Sequence, residues 1–234
     1  MRFVHFILER PSEKYSFRRP LMPWMISRLK PTLSPRCCRR ADRRCCRVPL
    51  PPHARVMMMG TFPPAAAKRC MAFHYPNFQN DMWRIYGLVF FNDAGHFQVA
   101  GEKRFDAGKI RDFLMAHNIA LCPTVRRAVR ERGNASDKFL RIVEPVDLGA
   151  VLTQLPDCRW LFTTGGKATE TLLSLLEPAP PMPPLNQAVA FDYHGRHLQL
   201  CRLPSSSRAY PLALAAKAAA YRAFFERSGV LPLS

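Results

Sequence analysis

The sequence contains no uninterrupted apolar run near the roughly 20 residues that a membrane-spanning helix needs. Its first residues hold no continuous apolar stretch followed by a small-residue cleavage site, so no secretory leader is expected. Acidic residues are scarce: 17 Asp and Glu stand against 35 Lys and Arg, a formal net charge of +18. Metal-ligand spacing is missing too. His74, His96, His117, His194 and His197 share no common interval, and the adjacent pairs Cys37-Cys38 and Cys45-Cys46 suit zinc poorly, because zinc ligands usually stand two or more residues apart. Cys70, Cys122, Cys158 and Cys201 are scattered, which argues against a secreted disulfide framework. There is no Walker phosphate loop, no G-x-S-x-G elbow and no zinc-deaminase signature. A membrane span, a P-loop nucleotidase, a serine hydrolase of the elbow type and a zinc deaminase are thereby set aside, and no metal or cofactor is expected.

What remains is a chain of 234 residues, 48% hydrophobic, long enough for one α/β domain with extra segments. The positive charge is unevenly spread. Residues 1–54 carry 13 Lys and Arg against Glu9, Glu13 and Asp42, while residues 55–234 carry 22 against 14 Asp and Glu. The body is therefore basic on its own, which suits a phosphate-rich partner, since neutralising phosphates releases condensed counterions. A basic solvated surface explains the charge equally well. Residues 1–53 mix Arg, Pro and Cys without periodicity and read as a basic, disordered extension, or as an arm adding non-specific DNA affinity. Residues 54–234 read as the folded domain, expected to act as a cytoplasmic, nucleoid-associated monomer.

From Arg55 the pattern becomes regular. Val56–Met59 is a short apolar run ended by Gly60, a buried strand; further strands are expected at Ile119–Cys122 and Arg159–Thr163. Helices are expected over Asp81–Phe91, Ala107–His117, Asp147–Leu155, Lys167–Leu176 and Pro211–Arg227. Ala190–Tyr193 and His197–Leu203 flank His194-Gly195-Arg196 as a hairpin-like pair. Asp137 is placed to cap a helix starting near Lys138. Strands alternating with helices imply a three-layer α/β/α fold around a mostly parallel, four-stranded sheet. Ligands of such sheets bind beyond the carboxyl ends of the strands, so the chemistry is expected at Gly60–Pro64, Pro123-Thr124, Thr164–Lys167 and Pro204–Arg208.

Those segments resemble a known family. Gly60-Thr61-Phe62-Pro63-Pro64 resembles the G-S-F-P-S motif of the hypoxanthine-DNA glycosylase group of the uracil-DNA glycosylase superfamily. Asn80-Asp81-Met82-Trp83 matches its N-x-F-W, and Leu203-Pro204-Ser205-Ser206-Ser207 its L-P-S-x-S. Gly133-Asn134-Ala135-Ser136-Asp137 and Thr163-Thr164-Gly165-Gly166-Lys167-Ala168 resemble its G-S-S-D and F-N-G-x-x-A stretches. The resemblance runs over about residues 55–226. The chain departs from the mismatch-specific uracil-DNA glycosylase branch, whose G-I-N-P motif has a water-activating Asn where Phe62 stands here. It also carries Leu203 in place of the His of H-P-S-P, and Thr164 in place of the Asn that reads the base edge.

The resemblance implies cleavage of the bond between sugar C1′ and a deaminated base, uracil or hypoxanthine, flipped out of DNA. Asn80 is the first candidate to place the attacking water, and it is also a good helix N-cap; the two roles are compatible. Asp81 is a second candidate base, or a dipole-stabilising first-turn acid. Phe62 is expected to stack on the flipped base or to pack in the core, with Gly60, Thr61, Tyr75 and Thr164 around it. The loop Pro204, Ser205, Ser206, Ser207 and Arg208 is expected to grip DNA phosphates, Arg208 bidentately. Gly165, Gly166 and Lys167 offer amides at a helix N-terminus, suited to a phosphate or an anionic leaving base. A non-catalytic damaged-DNA-binding module with the same fold is the alternative.

Overall fold

The computed structural model describes residues 49–130, 137 and 140–233. The basic tract with Cys37, Cys38, Cys45 and Cys46, and Asn134 of the central motif, lie outside the described residues. Packing is established by Pro49, whose carbonyl accepts from the Leu121 amide, and Leu50 rests on the core.

Strand β1 (Val56–Met59) has every residue buried, as a strand covered on both faces requires. It pairs in parallel with β2 (Ile119–Leu121) on one side and β5 (Trp160–Thr164) on the other. Strand β7 (Arg196–Leu203) adds in parallel to β5, and β6 (Ala188–Tyr193) adds antiparallel to β7. The order is β2-β1-β5-β7-β6: four strands run parallel and β6 is an antiparallel edge, one strand more than the mostly parallel, four-stranded sheet expected. The β6–β7 turn is His194-Gly195, both in left-handed backbone, as a tight hairpin with twist-matched strands demands.

Helices α1 (Met82–Phe91), α2 (Ala107–Ala116) and α5 (Leu214–Arg227) cover one face, where Trp83, Tyr86, Phe113, Phe162, Phe224 and Phe225 form an aromatic core. Helices α3 (Leu148–Thr153) and α4 (Gly166–Leu173) cover the other, over Met57, Met59, Leu161 and Leu200. Asp106 caps α2 by accepting from Gly108 and Lys109, and Asp147 caps α3 through Ala150. No described helix is long and apolar enough to cross a membrane.

One expectation is corrected. The segment from Leu140, expected in a helix capped by Asp137, is strand instead: β4 (Leu140–Pro145) pairs antiparallel with β3 (Val125–Arg130) in a second, two-stranded sheet that follows β2. The alternating burial of β3 puts Arg126, Ala128 and Arg130 on the inner face and Arg127 and Val129 outside, the period of a strand with one wet face.

Phe162, on the central strand β5, is fully buried and packs its ring 4.7 Å from Phe224. Phe162→Ala is expected to lower unfolding free energy by about 3–5 kcal/mol, read as a lower urea midpoint at unchanged slope. A loss under about 1 kcal/mol would show that this face can collapse onto the gap.

Candidate active site

The parallel register brings the carboxyl ends of β1, β2, β5 and β7 to one edge. Beyond β1, the Gly60 carbonyl accepts from Thr124 at 2.7 Å and that of Thr61 from Val125 at 3.2 Å, tying the first motif to the end of β2. Gly165, at φ +103°, donates to the Leu203 carbonyl at 3.2 Å, tying the end of β5 to that of β7. A Cβ added at Gly165 would come within 3.4 Å of Ser205 Cβ, so this glycine lets the two loops touch.

Tyr75 links the first motif to Thr164. Its hydroxyl lies 2.9 Å from Thr164 Oγ1, and a Cβ on Gly60 would stand 2.4 Å from the same hydroxyl. The ring thus fills the space left by the missing side chain of Gly60. Burial, and to a lesser degree the Asp137 charge, hold the Tyr75 phenol above its ordinary pKa, while the Thr164 bond opposes them. The phenol therefore stays protonated, and the two hydroxyls form one rotatable donor–acceptor unit. Phe62 is partly buried, with the Arg130 guanidinium 6.0 Å from its ring centre and donating to the Phe62 and Pro63 carbonyls at 3.2 Å.

Asn80 faces the second motif, forming an antiparallel bridge with Ser207. Its Oδ1 accepts from the Met82 amide at 2.9 Å, starting α1, and its carbonyl accepts from Arg84 at 3.2 Å. One lone pair of Oδ1 is used; the second can accept from water. The cap thus leaves one acceptor position of that atom open.

Asp81 and Arg208 meet each other in the structure. Asp81 does not cap α1 with its side chain. Each of its oxygens meets one cation, Lys217 Nζ at 3.2 Å and Arg208 Nε at 3.0 Å, which makes it an anchor between α5 and the loop after β7. Arg208 in turn donates through NH1 to Gln79 Oε1 at 2.6 Å. Two of its five donors are thus used within the protein, and the side chain stays 47% exposed.

Carbonyls of the Pro204–Ser207 strap are bound from within: Pro204 by Tyr221 at 3.0 Å, Ser206 by the Asp81 amide at 2.9 Å and Ser207 by Lys217 at 2.8 Å. Ser205 and Ser207 hydroxyls accept from the amides of Ser207 and Ala209 at 3.2 Å and keep their own hydrogens to donate. What the strap retains for a ligand is weighted toward donors, which favours an anion. Helix α4 starts at Gly165 without a side-chain cap, and Lys167, 41% exposed, stands in its first turn, 3.8 Å from Glu170.

Gly60, Tyr75, Thr164, Gly165, Ser205, Ser207 and Asn80 therefore form one continuous line of contacts. Two open clefts of about 280 and 400 Å³ lie at the opposite, amino end of the strands, around His117 and Asn118 and around Tyr193 and His194. Neither adjoins these residues. Among the described residues no group of three His, Cys, Asp or Glu is placed to hold a metal ion.

No family model matches the sequence, and no curated protein does. Among solved structures the chain is similar to a proposed uracil DNA glycosylase from Methanosarcina acetivorans, determined by NMR in solution. The TM-score is 0.54 at 20% identity, over 78% of this chain and 95% of that one. The two share a fold. At that identity the likeness carries the architecture, and the site rests on the contacts above.

Residues that sequence reading missed are the ones that join the motifs: Arg130, Arg84, Gln79 and Lys217. Lys217 left a trace. It stands with Ala218, Tyr221, Phe224 and Phe225 on the buried stripe of α5, where a lysine is out of place.

Gly60→Ala should cost about 1–3 kcal/mol by driving the Tyr75 ring off its seat. In a Tyr75→Phe background, which removes the nearest atom, the penalty should shrink; equal penalties in both backgrounds would exclude this overlap as the cause. A second outcome concerns His74. Its Nε2 is buried with no hydrogen-bond partner among the described residues, and burial lowers its pKa from 6.5 to about 4. Between those values the unfolded chain binds the proton and the folded one does not, so stability falls as pH drops through the window. His74→Phe should flatten that slope in urea titrations at pH 4–6.5; an unchanged slope would assign it to other groups.

Proposed function

We propose that this chain is a DNA glycosylase of the uracil-DNA glycosylase superfamily. It hydrolyses the N-glycosidic bond of a deaminated base, uracil or hypoxanthine, extruded from DNA, and leaves an abasic site. The observation that carries the reading is the bridge between Asn80 and Ser207, which sets a water-placing amide against a donor-rich strap. Both stand beside the Gly60–Tyr75–Thr164 unit, at the carboxyl ends of parallel strands.

In this reading the base enters between Phe62 and the hydroxyls of Tyr75 and Thr164, where an aromatic face contributes about 1–3 kcal/mol per stacked base. The bond between C1′ and the base nitrogen breaks, and its electron pair leaves on the base. Thr164 and the uncapped amides of α4 meet that developing charge. Water held by the second lone pair of Asn80 Oδ1 bonds to C1′, and its proton passes through solvent to the departed base. The strap and Lys167 hold the flanking phosphates.

The second reading is a damaged-DNA-binding module. It is favoured by the commitment of Asp81 to two cations and by the absence of a polar group on Phe62. One assay separates the two. The purified chain is incubated with single- and double-stranded oligonucleotides carrying uracil, hypoxanthine, xanthine or mismatched thymine, then treated with alkali. Strand breaks are expected at uracil or hypoxanthine, and Asn80→Ala should lower single-turnover excision about 10²-fold with little change in DNA affinity. Tight binding without breaks on any substrate would establish the module instead.

A further inference from the structure

Lys217 is 1% exposed, on a helix whose other inward residues are apolar or aromatic. An ammonium so deeply buried is tolerated only where acceptors meet it. It has two, Asp81 Oδ2 at 3.2 Å and the Ser207 carbonyl at 2.8 Å. These belong to the two segments that flank the candidate chemistry. Asp81 follows Asn80 in the chain, and Ser207 is the residue that Asn80 bridges.

One turn further along α5, Tyr221 donates to the Pro204 carbonyl. Lys217 and Tyr221 therefore hold the two ends of the strap from the same helix face. The Asp81 amide holds its middle at the Ser206 carbonyl. A well-packed apolar residue in place of a buried charge is often as stable or more so. What the charge adds is a fixed spacing between segments far apart in sequence. The cluster also joins two cations, Lys217 and Arg208, to the single carboxylate of Asp81. It leaves an excess of positive charge beneath the strap, complementary to a polyanion.

We propose that Lys217 is a positioning residue: it binds the Pro204–Ser207 strap and the Asn80 segment into one unit, so that the water-placing amide and the phosphate-holding loop keep a constant separation. For its effect on catalysis the proposal rests on the glycosylase reading; the mechanical part does not.

The test uses the full chain with Lys217→Met, which keeps the side chain's bulk and removes its charge and donors. Amide hydrogen exchange should accelerate about tenfold or more at residues 80–82 and 205–209, and remain near wild type in β1 and β5. On whichever oligonucleotide the wild type cleaves, single-turnover excision at saturating enzyme should fall about tenfold or more, while duplex affinity changes less than about threefold. Exchange that rises evenly across the domain, or excision and affinity that fall together, would reduce Lys217 to a stability residue and overturn the proposal. So would unchanged exchange in the strap. Should Lys217→Met fail to fold, Asp81→Asn/Lys217→Met removes the stranded carboxylate as well, and the same local exchange pattern decides. If the wild type excises nothing, the glycosylase reading fails, and exchange alone still decides whether Lys217 clamps the strap.

Discussion

The Asp81 carboxylate sits between Lys217 and Arg208, 9% exposed, and an ionised group this far out of water must be met by cations or donors. Much of the site's geometry follows from that requirement. To reach Asp81, Lys217 has to come from the inner face of α5 and Arg208 from the loop after β7. The start of α1 is thereby fixed against both. Asn80, one residue earlier, inherits its place from this arrangement, and its carbonyl is held by Arg84, itself packed between the rings of Phe78 and Phe105 at 4.4 and 5.0 Å. The cluster works as a joint between a helix start, a loop and a helix face that the sheet alone would not align.

The sheet supplies the other half of the convergence. Because β2, β1, β5 and β7 all run the same way, the loops leaving them gather at one edge whatever their length. That much was legible in the sequence. The Val56–Met59 run ended by Gly60 has the look of a central strand, and the order of strands and helices implied the parallel layer. The β3–β4 hairpin was not legible, because Asp137 before a mixed basic and apolar segment satisfies the local rule for a helix cap. The strand pairing of Ala128 with Ile142 that overrides it lies outside any short window.

The site followed the same division. Each motif segment could be located by its position after a strand, and the structure brings the end of β1, Tyr75, Thr164, Ser205 and Asn80 into one line. The roles of Asp81 and Arg208 could not be read that way. Each has the right chemistry for the task first expected of it, acid–base work for one and phosphate binding for the other. Only the position of the other, 127 residues away, shows that they are engaged with each other. Tyr75 is a similar case: its partner Thr164 lies 89 residues on, and the space it fills is the absence of a side chain at Gly60.

The arginines carry a consequence for how this basic domain would meet a polyanion. Arg69 donates to the Pro64 carbonyl, Arg84 to those of Phe78 and Asn80, and Arg130 to those of Phe62 and Pro63. Arg222 donates to Leu88, and Arg196 to the carbonyls of Leu152, Leu155, Pro156 and Cys158. These guanidiniums serve as internal crosslinks between loops and helix ends. Their charge still shapes the long-range potential that draws a polyanion in, but each has one or more donors held within the fold and unavailable to phosphates. Counterion release depends on the phosphates actually neutralised, so the ionic-strength dependence of polyanion binding by the domain would be shallower than its net charge suggests. In these five residues the positive charge of the domain doubles as a device of architecture.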